Sequence, residues 1–133
     1  MSDFNENVIG EFRANAGRVQ GFGRTLVLLH HVGARSGTTR TSPVMAIRPD
    51  DDTWLIAASM GGAPTHPAWF HNLRAHPDVS IETPEGTVDV HAEILGPEER
   101  DAAWQLFTER SEGFRSYQER TERTIPVVRL TRR

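Results

Sequence analysis

The sequence predicts an α+β domain built around a small antiparallel barrel. Six short runs rich in valine, isoleucine, leucine and threonine are separated by turn residues, and stretches with helical spacing lie between and around them. Most of the gaps between strands are too short to hold a crossover helix, which disfavours a parallel, doubly wound sheet. At 133 residues the chain has the size of one domain, expected to divide into an N-terminal helix and loop over 1–20 and a barrel with helices over 25–133.

From Asp3 to Ala16, apolar side chains at Phe4, Val8, Ile9, Phe12 and Ala16 recur at helical spacing and form a stripe to be buried. The stripe is expected to pack over a pocket mouth rather than lie on a membrane, because the opposite face carries Asp3, Glu6 and Glu11 instead of basic residues. Gly17, Gly21 and Gly23 break the pattern. Strands are predicted at 25–32, 41–48 and 53–59, the last two joined at Pro49-Asp50-Asp51-Asp52. After the glycine-rich break Met60-Gly61-Gly62-Ala63-Pro64, His66 and Pro67 open a helix through Ala75. Strands follow at 79–82 and 87–94 around the turn Pro84-Glu85-Gly86. An amphipathic helix from Pro97 carries Trp104, Leu106 and Phe107, a polar helical stretch covers 111–123, and a last strand spans 126–130.

Composition narrows the chemistry. Apolar residues make up 37% and charged residues 25%, a balance typical of a globular domain rather than a disordered chain. No apolar run reaches a membrane span and the start has no signal-peptide pattern, so a cytoplasmic protein is expected, with membrane contact at most peripheral at the inner face of the plasma membrane. With no cysteine, thiolate catalysis and zinc–sulfur or iron–sulfur sites are excluded. All 15 cationic side chains are arginine, so lysine Schiff-base chemistry is excluded as well. The net charge of −3 argues against nonspecific nucleic-acid binding.

The histidines give no metal signature. His66, His71 and His76 are spaced so that a helix would separate them, and adjacent His30 and His31 on a strand would face opposite sides. No metal site is expected. The segment Gly33-Ala34-Arg35-Ser36-Gly37-Thr38-Thr39-Arg40 is more informative. It suits backbone amides, a hydroxyl and guanidinium forks converging on an anion, and equally suits a surface hairpin with solvated arginines. The residues alone leave both open. In Ala57-Ala58-Ser59-Met60-Gly61-Gly62 small residues end a strand just before a tryptophan-bearing helix, so a flat ring could lie against them. The alternative makes Trp69 and Leu73 core and the glycines a plain loop.

Four stretches together carry a resemblance: FRANAGRV (12–19), GARSGTTRTSPV (33–44), AASMGGAPTHPAWFHNLRAHP (57–77) and RTIPVVRL (123–130). In these the chain resembles the deazaflavin-dependent nitroreductase family, small proteins that use coenzyme F420, and the third stretch is the most specific. The resemblance implies a split β-barrel of the FMN-binding type with flanking helices, and hydride transfer from reduced F420 to a hydrophobic acceptor such as a quinone, enone or nitroaromatic. It places the cofactor on Ala34, Arg35 and Ser36, on Arg40, Thr41, Ser42, Pro43 and Val44, and on Ala57, Ala58, Ser59 and Met60. It continues over Ala68, Trp69, Phe70, His71 and Asn72, with Tyr117 closing over cofactor and substrate. Ser59 and Tyr117 become the catalytic candidates, and Arg35, Arg40 and Arg74 the holders of phosphate or carboxylate groups. Where family members often carry lysine this chain has Arg35 and Met60, and where nitroreductases carry further tyrosines it has Met45 and Phe114. FMN is the alternative cofactor, an F420-binding protein without catalysis the alternative function, and a monomer or homodimer the expected assembly.

Overall fold

A computed structural model describes residues 3–59 and 62–133, with side chains from residue 5 onward. In chain order it contains α1 (Asp3–Ala14), β1 (Leu26–Val32), β2 (Thr39–Asp50), β3 (Thr53–Ala57), α2 (Ala68–Ala75), β4 (Asp78–Thr83), β5 (Gly86–Ile94), α3 (Pro97–Arg110), α4 (Glu112–Glu119) and β6 (Val127–Arg132). The strands close into a barrel in the order β1-β2-β3-β6-β5-β4. Every neighbouring pair is antiparallel.

Strand alternation sorts the apolar residues into an interior and two outer layers. Val27 and Leu29 of β1, Trp54 and Ile56 of β3, and Val128 and Leu130 of β6 point into the barrel. Trp69, Phe70 and Leu73 of α2 join this same cluster, so α2 packs against the barrel core. The intervening residues face outward. Leu26 and Leu28 pack beneath Val8 and Phe12 of α1. Leu55 and Val127 pack beneath Phe107 and Phe114 of α3 and α4. Val8 and Phe12 of the predicted stripe are thus buried against the barrel and Ile9 partly so, but α1 ends at Ala14, and Ala16, at a φ of 52° beyond the helix, is exposed rather than part of the stripe; the side chain of Phe4 lies outside the described ones.

The two short hairpins match their turn residues. At the first, the Asp52 amide donates to Asp50 Oδ1 at 2.9 Å. At the second, Thr83 Oγ1 accepts from the Glu85 amide, and Gly86 takes a φ of 140° that suits glycine.

Three expectations are corrected. Leu106 is exposed, because on α3 the face that meets the barrel carries Ala103 and Phe107. The helix predicted over 111–123 stops at Glu119, and the backbone through Arg123 is non-helical. Pro67 caps α2 rather than sitting in its first turn, which leaves His66 outside the helix. His66 and His71 therefore approach to 5.8 Å between ring centres instead of being held apart by helical geometry. His30 and His31 do face opposite sides: His30 meets Glu82, while buried His31 meets Ser42 and Asn72.

Candidate functional site

Two grooves share β2 and the start of α2. The first, of about 560 Å³, is lined by Gly33, Ala34, Arg35, Ser36, Arg40, Ala68, His71 and Asn72. Seven of these eight are residues the sequence singled out. The turn is held by its own hydrogen bonds: Gly33 N–H donates to Thr38 O at 2.9 Å, Gly37 N–H to Gly33 O at 2.9 Å, and Thr38 N–H to Ser36 Oγ at 3.2 Å. A Cβ at position 33 would collide with Ser36 Oγ and displace the hydroxyl that accepts from Thr38 N–H. Ala34 N–H donates to Asn72 Oδ1 at 2.9 Å. These commitments narrow the expected anion cradle. What remains for a ligand is chiefly the guanidinium groups of Arg35 and Arg40, which have no carboxylate partner among the described residues.

The second groove, of about 700 Å³, runs under α1 and α4. Its walls include the predicted Ser42, Pro43, Val44, Ala57, Ser59, Trp69 and Tyr117, together with Met45 and Phe114. Asn5, Val8, Phe22, Thr25, Leu26, Pro67 and Ser111 also line it, and the sequence did not single these out as site residues. Trp69 is both core and wall, so the two readings of its helix hold together. Phe114 meets Tyr117 edge to face at 5.6 Å, which fixes the tyrosine ring at the groove wall. Neither the Ser59 hydroxyl nor the Tyr117 hydroxyl bonds to another described residue, so both can serve a ligand.

Not every expected residue reaches a groove. Ala58 and Phe70 are buried in the barrel core, and Thr41 lines neither groove. Arg74 also lines neither; it lies over the Phe70 ring at 5.9 Å. Met60 lies outside the described residues.

Arg123 is the main residue that sequence reasoning missed. Its guanidinium donates to Ala63 O at 2.9 Å, Ala58 O at 3.1 Å, Ser59 O at 2.9 Å and His66 Nδ1 at 2.9 Å. One side chain thus pins both ends of the glycine break that carries Ser59. Burial lowers the pKa of Arg123, and burial followed by the charge of Arg123 lowers that of His66, so His66 is held neutral as an acceptor. Gly62 packs against α4 so closely that a Cβ would lie 2.7 Å from Tyr117 O. The motif that contains Arg123 was visible; its reach of some sixty residues back along the chain was not.

The model of the F420H(2)-dependent quinone reductase family matches residues 6–132. The chain belongs to that family. It is therefore an oxidoreductase, and reduced F420 is its cofactor. An F420H(2)-dependent quinone reductase of Mycobacterium tuberculosis (strain H37Rv) is 44% identical over 110 residues, covering 80% of this chain and 73% of the relative. Among solved structures, an F420-H2 dependent reductase, FDR-A, is 36% identical with a TM-score of 0.72, covering 80% of this chain and 94% of that one. A domain-swapped dimer is 32% identical with a TM-score of 0.74, covering 94% and 93%. The split-barrel fold extends further, to a Listeria innocua protein at 9% identity and a TM-score of 0.54, where the likeness is of fold alone.

The residues present fit such a cofactor. An anionic tail needs cations that are not already neutralised, and Arg35 and Arg40 could supply them. A flat ring needs a slot with few polar groups, and the groove lined by Val44, Ala57 and Trp69 could take it. Among the described residues no helix is long and apolar enough to cross a membrane.

Proposed function

We propose that this reductase passes electrons to a flat hydrophobic acceptor of the quinone type, with enones and nitroaromatics as related acceptors, and that the two grooves divide the work. The observation that carries the reading is the contrast across β2. Arginines without acid partners among the described residues rim one groove, and an apolar wall that includes the Ser59 and Tyr117 hydroxyls, without partners among the described residues, forms the other.

Reduced F420, when bound, supplies the hydride. Arg35 and Arg40 would hold its acidic groups by charge-assisted hydrogen bonds. Val44, Ala57 and Trp69 would flank the ring, while α1 and Phe114 keep water from the acceptor. Ser59 and Tyr117 would donate hydrogen bonds to the acceptor oxygen on which negative charge develops. Arg123 fixes the backbone at Ser59, so that this donor need not reorganise during the reaction.

Anaerobic titration of the protein with reduced F420 and, separately, with FMN tests the cofactor, and a panel of quinones, enones and nitroaromatics tests the acceptor. The expected result is saturable F420 binding and quinone turnover. A yellow FMN complex without F420 binding would overturn the cofactor assignment. Tight F420 binding without turnover on any acceptor would make the protein a carrier.

A further inference from the structure

A chain of hydrogen bonds links the two grooves at the end of the barrel packed by α2. Ala34 N–H meets Asn72 Oδ1 at 2.9 Å, Asn72 Nδ2 meets His31 Nδ1 at 2.8 Å, and His31 Nε2 meets Ser42 Oγ at 2.9 Å. His31 and Asn72 are buried, and Ser42 lines the larger groove.

The direction of every hydrogen in this chain follows from its first member. A backbone amide can only donate, so the Asn72 atom facing Ala34 is the carbonyl oxygen, and the amide nitrogen faces His31. That nitrogen can only donate, so His31 Nδ1 must be the bare, accepting nitrogen. The remaining hydrogen of a neutral imidazole then sits on Nε2 and is donated to Ser42 Oγ. The serine oxygen is thereby an acceptor inside the protein, and its own hydrogen must point elsewhere. No other described residue takes it.

We propose that His31 and Asn72 are positioning residues that turn the Ser42 hydroxyl hydrogen into the groove, making Ser42 an obligate donor to a carbonyl oxygen or ring nitrogen of the bound cofactor. The relay stands on the geometry above; the identity of the ligand rests on the functional reading of the grooves. The same relay ties the arginine turn, through Ala34, to the wall of the ring slot. An apolar residue at position 31 would leave Ser42 free to rotate, and the groove would lose a fixed donor. Protonation of His31 would set an N–H of the ring against the N–H of Asn72. Burial first, then the charge of Arg40 and, from the other side of the strand, that of His30, lower its pKa to about 4 and keep it neutral.

Nitrogen-15 NMR of the histidine side chains in the ligand-free protein tests the relay directly. The expected signature is a His31 ring carrying its hydrogen on Nε2 and showing no titration between pH 8 and roughly 5. A hydrogen on Nδ1, or titration near the ordinary histidine value, would overturn the proposal. Fluorescence titration with oxidised F420 then tests the outcome in the groove. Ser42→Ala and His31→Leu should each weaken binding about tenfold, and His31→Gln, which keeps one acceptor and one donor, should recover much of the loss. In the Ser42→Ala background His31→Leu should add nothing, whereas additive losses would show that His31 acts by some other route. If the native protein binds no F420, the functional reading fails, and the NMR signature still decides the relay.

Discussion

The two grooves differ in how their polar groups are used. In the smaller groove the Gly33, Gly37 and Thr38 amides are consumed within the turn and that of Ala34 by Asn72, and the charge that remains free among the described residues is carried by two flexible arginines. In the larger groove the backbone at Ser59 is pinned from outside, by Arg123, and the ligand-facing groups are neutral hydroxyls, among them Ser59 in the clamped break and Tyr117 on α4. Flexible charges suit affinity for an anionic tail whose position need not be exact to a fraction of an ångström. Fixed neutral donors suit a reacting atom, where reorganisation costs rate. On the proposed function, the difference separates binding from chemistry within a single barrel.

Substitutions in the two grooves should therefore fail differently. The largest effect is expected at Ser59. Ser59→Ala should slow oxidation of the bound reduced cofactor by up to about 10²–10³-fold, the value for one preorganised donor, with cofactor affinity unchanged. Stopped-flow measurement of that step checks it; a native rate would reduce Ser59 to a wall residue. Next is the neutral state of His31, which supports both grooves. Its folded pKa lies below the ordinary 6.5, so the unfolded chain binds the proton more readily. Stability should be fully present above pH 6.5 and decline as pH falls toward 4, by on the order of 3 kcal/mol. Urea unfolding across that range reads it, and His31→Gln should lose this part of the pH dependence.

Arg35→Ala and Arg40→Ala should each weaken F420 binding by about 1–3 kcal/mol and leave the rate at saturation unchanged. Raising the salt concentration should mimic them in the native protein, since exposed charges are screened. Unchanged affinity in both variants would return the turn to a surface hairpin. The smallest effect is expected from Tyr117→Phe, which keeps the ring against Phe114 and removes only the hydroxyl. About a tenfold loss of rate with native F420 affinity would place that hydroxyl at the acceptor.

Much of this arrangement was legible in the chain. Alternation in 25–32, with Leu26 and Leu28 on one face and Val27 and Leu29 on the other, requires a strand covered on both sides, and the structure covers it with the barrel core and α1. The turn at 33–40 was readable as a turn, open to either an anion site or a surface hairpin, because glycine, serine and arginine are local signals. The composition alone removed metal–thiolate and lysine chemistry. These are properties of residue type and short-range spacing, which the sequence states directly.

What only the tertiary structure decided were the roles that depend on partners far along the chain. Ala58 and Phe70 sit beside groove residues in sequence, yet the phase of strand and helix turns both into the core. Leu106 continues an apolar pattern but misses the face that meets the barrel. Arg123 clamps Ser59 and His31 orders Ser42 because barrel closure brings β1, β2 and the segment after α4 to one end. A hydrogen bond has no sequence period, and a polar group's direction is set by whichever donor or acceptor the fold places opposite it.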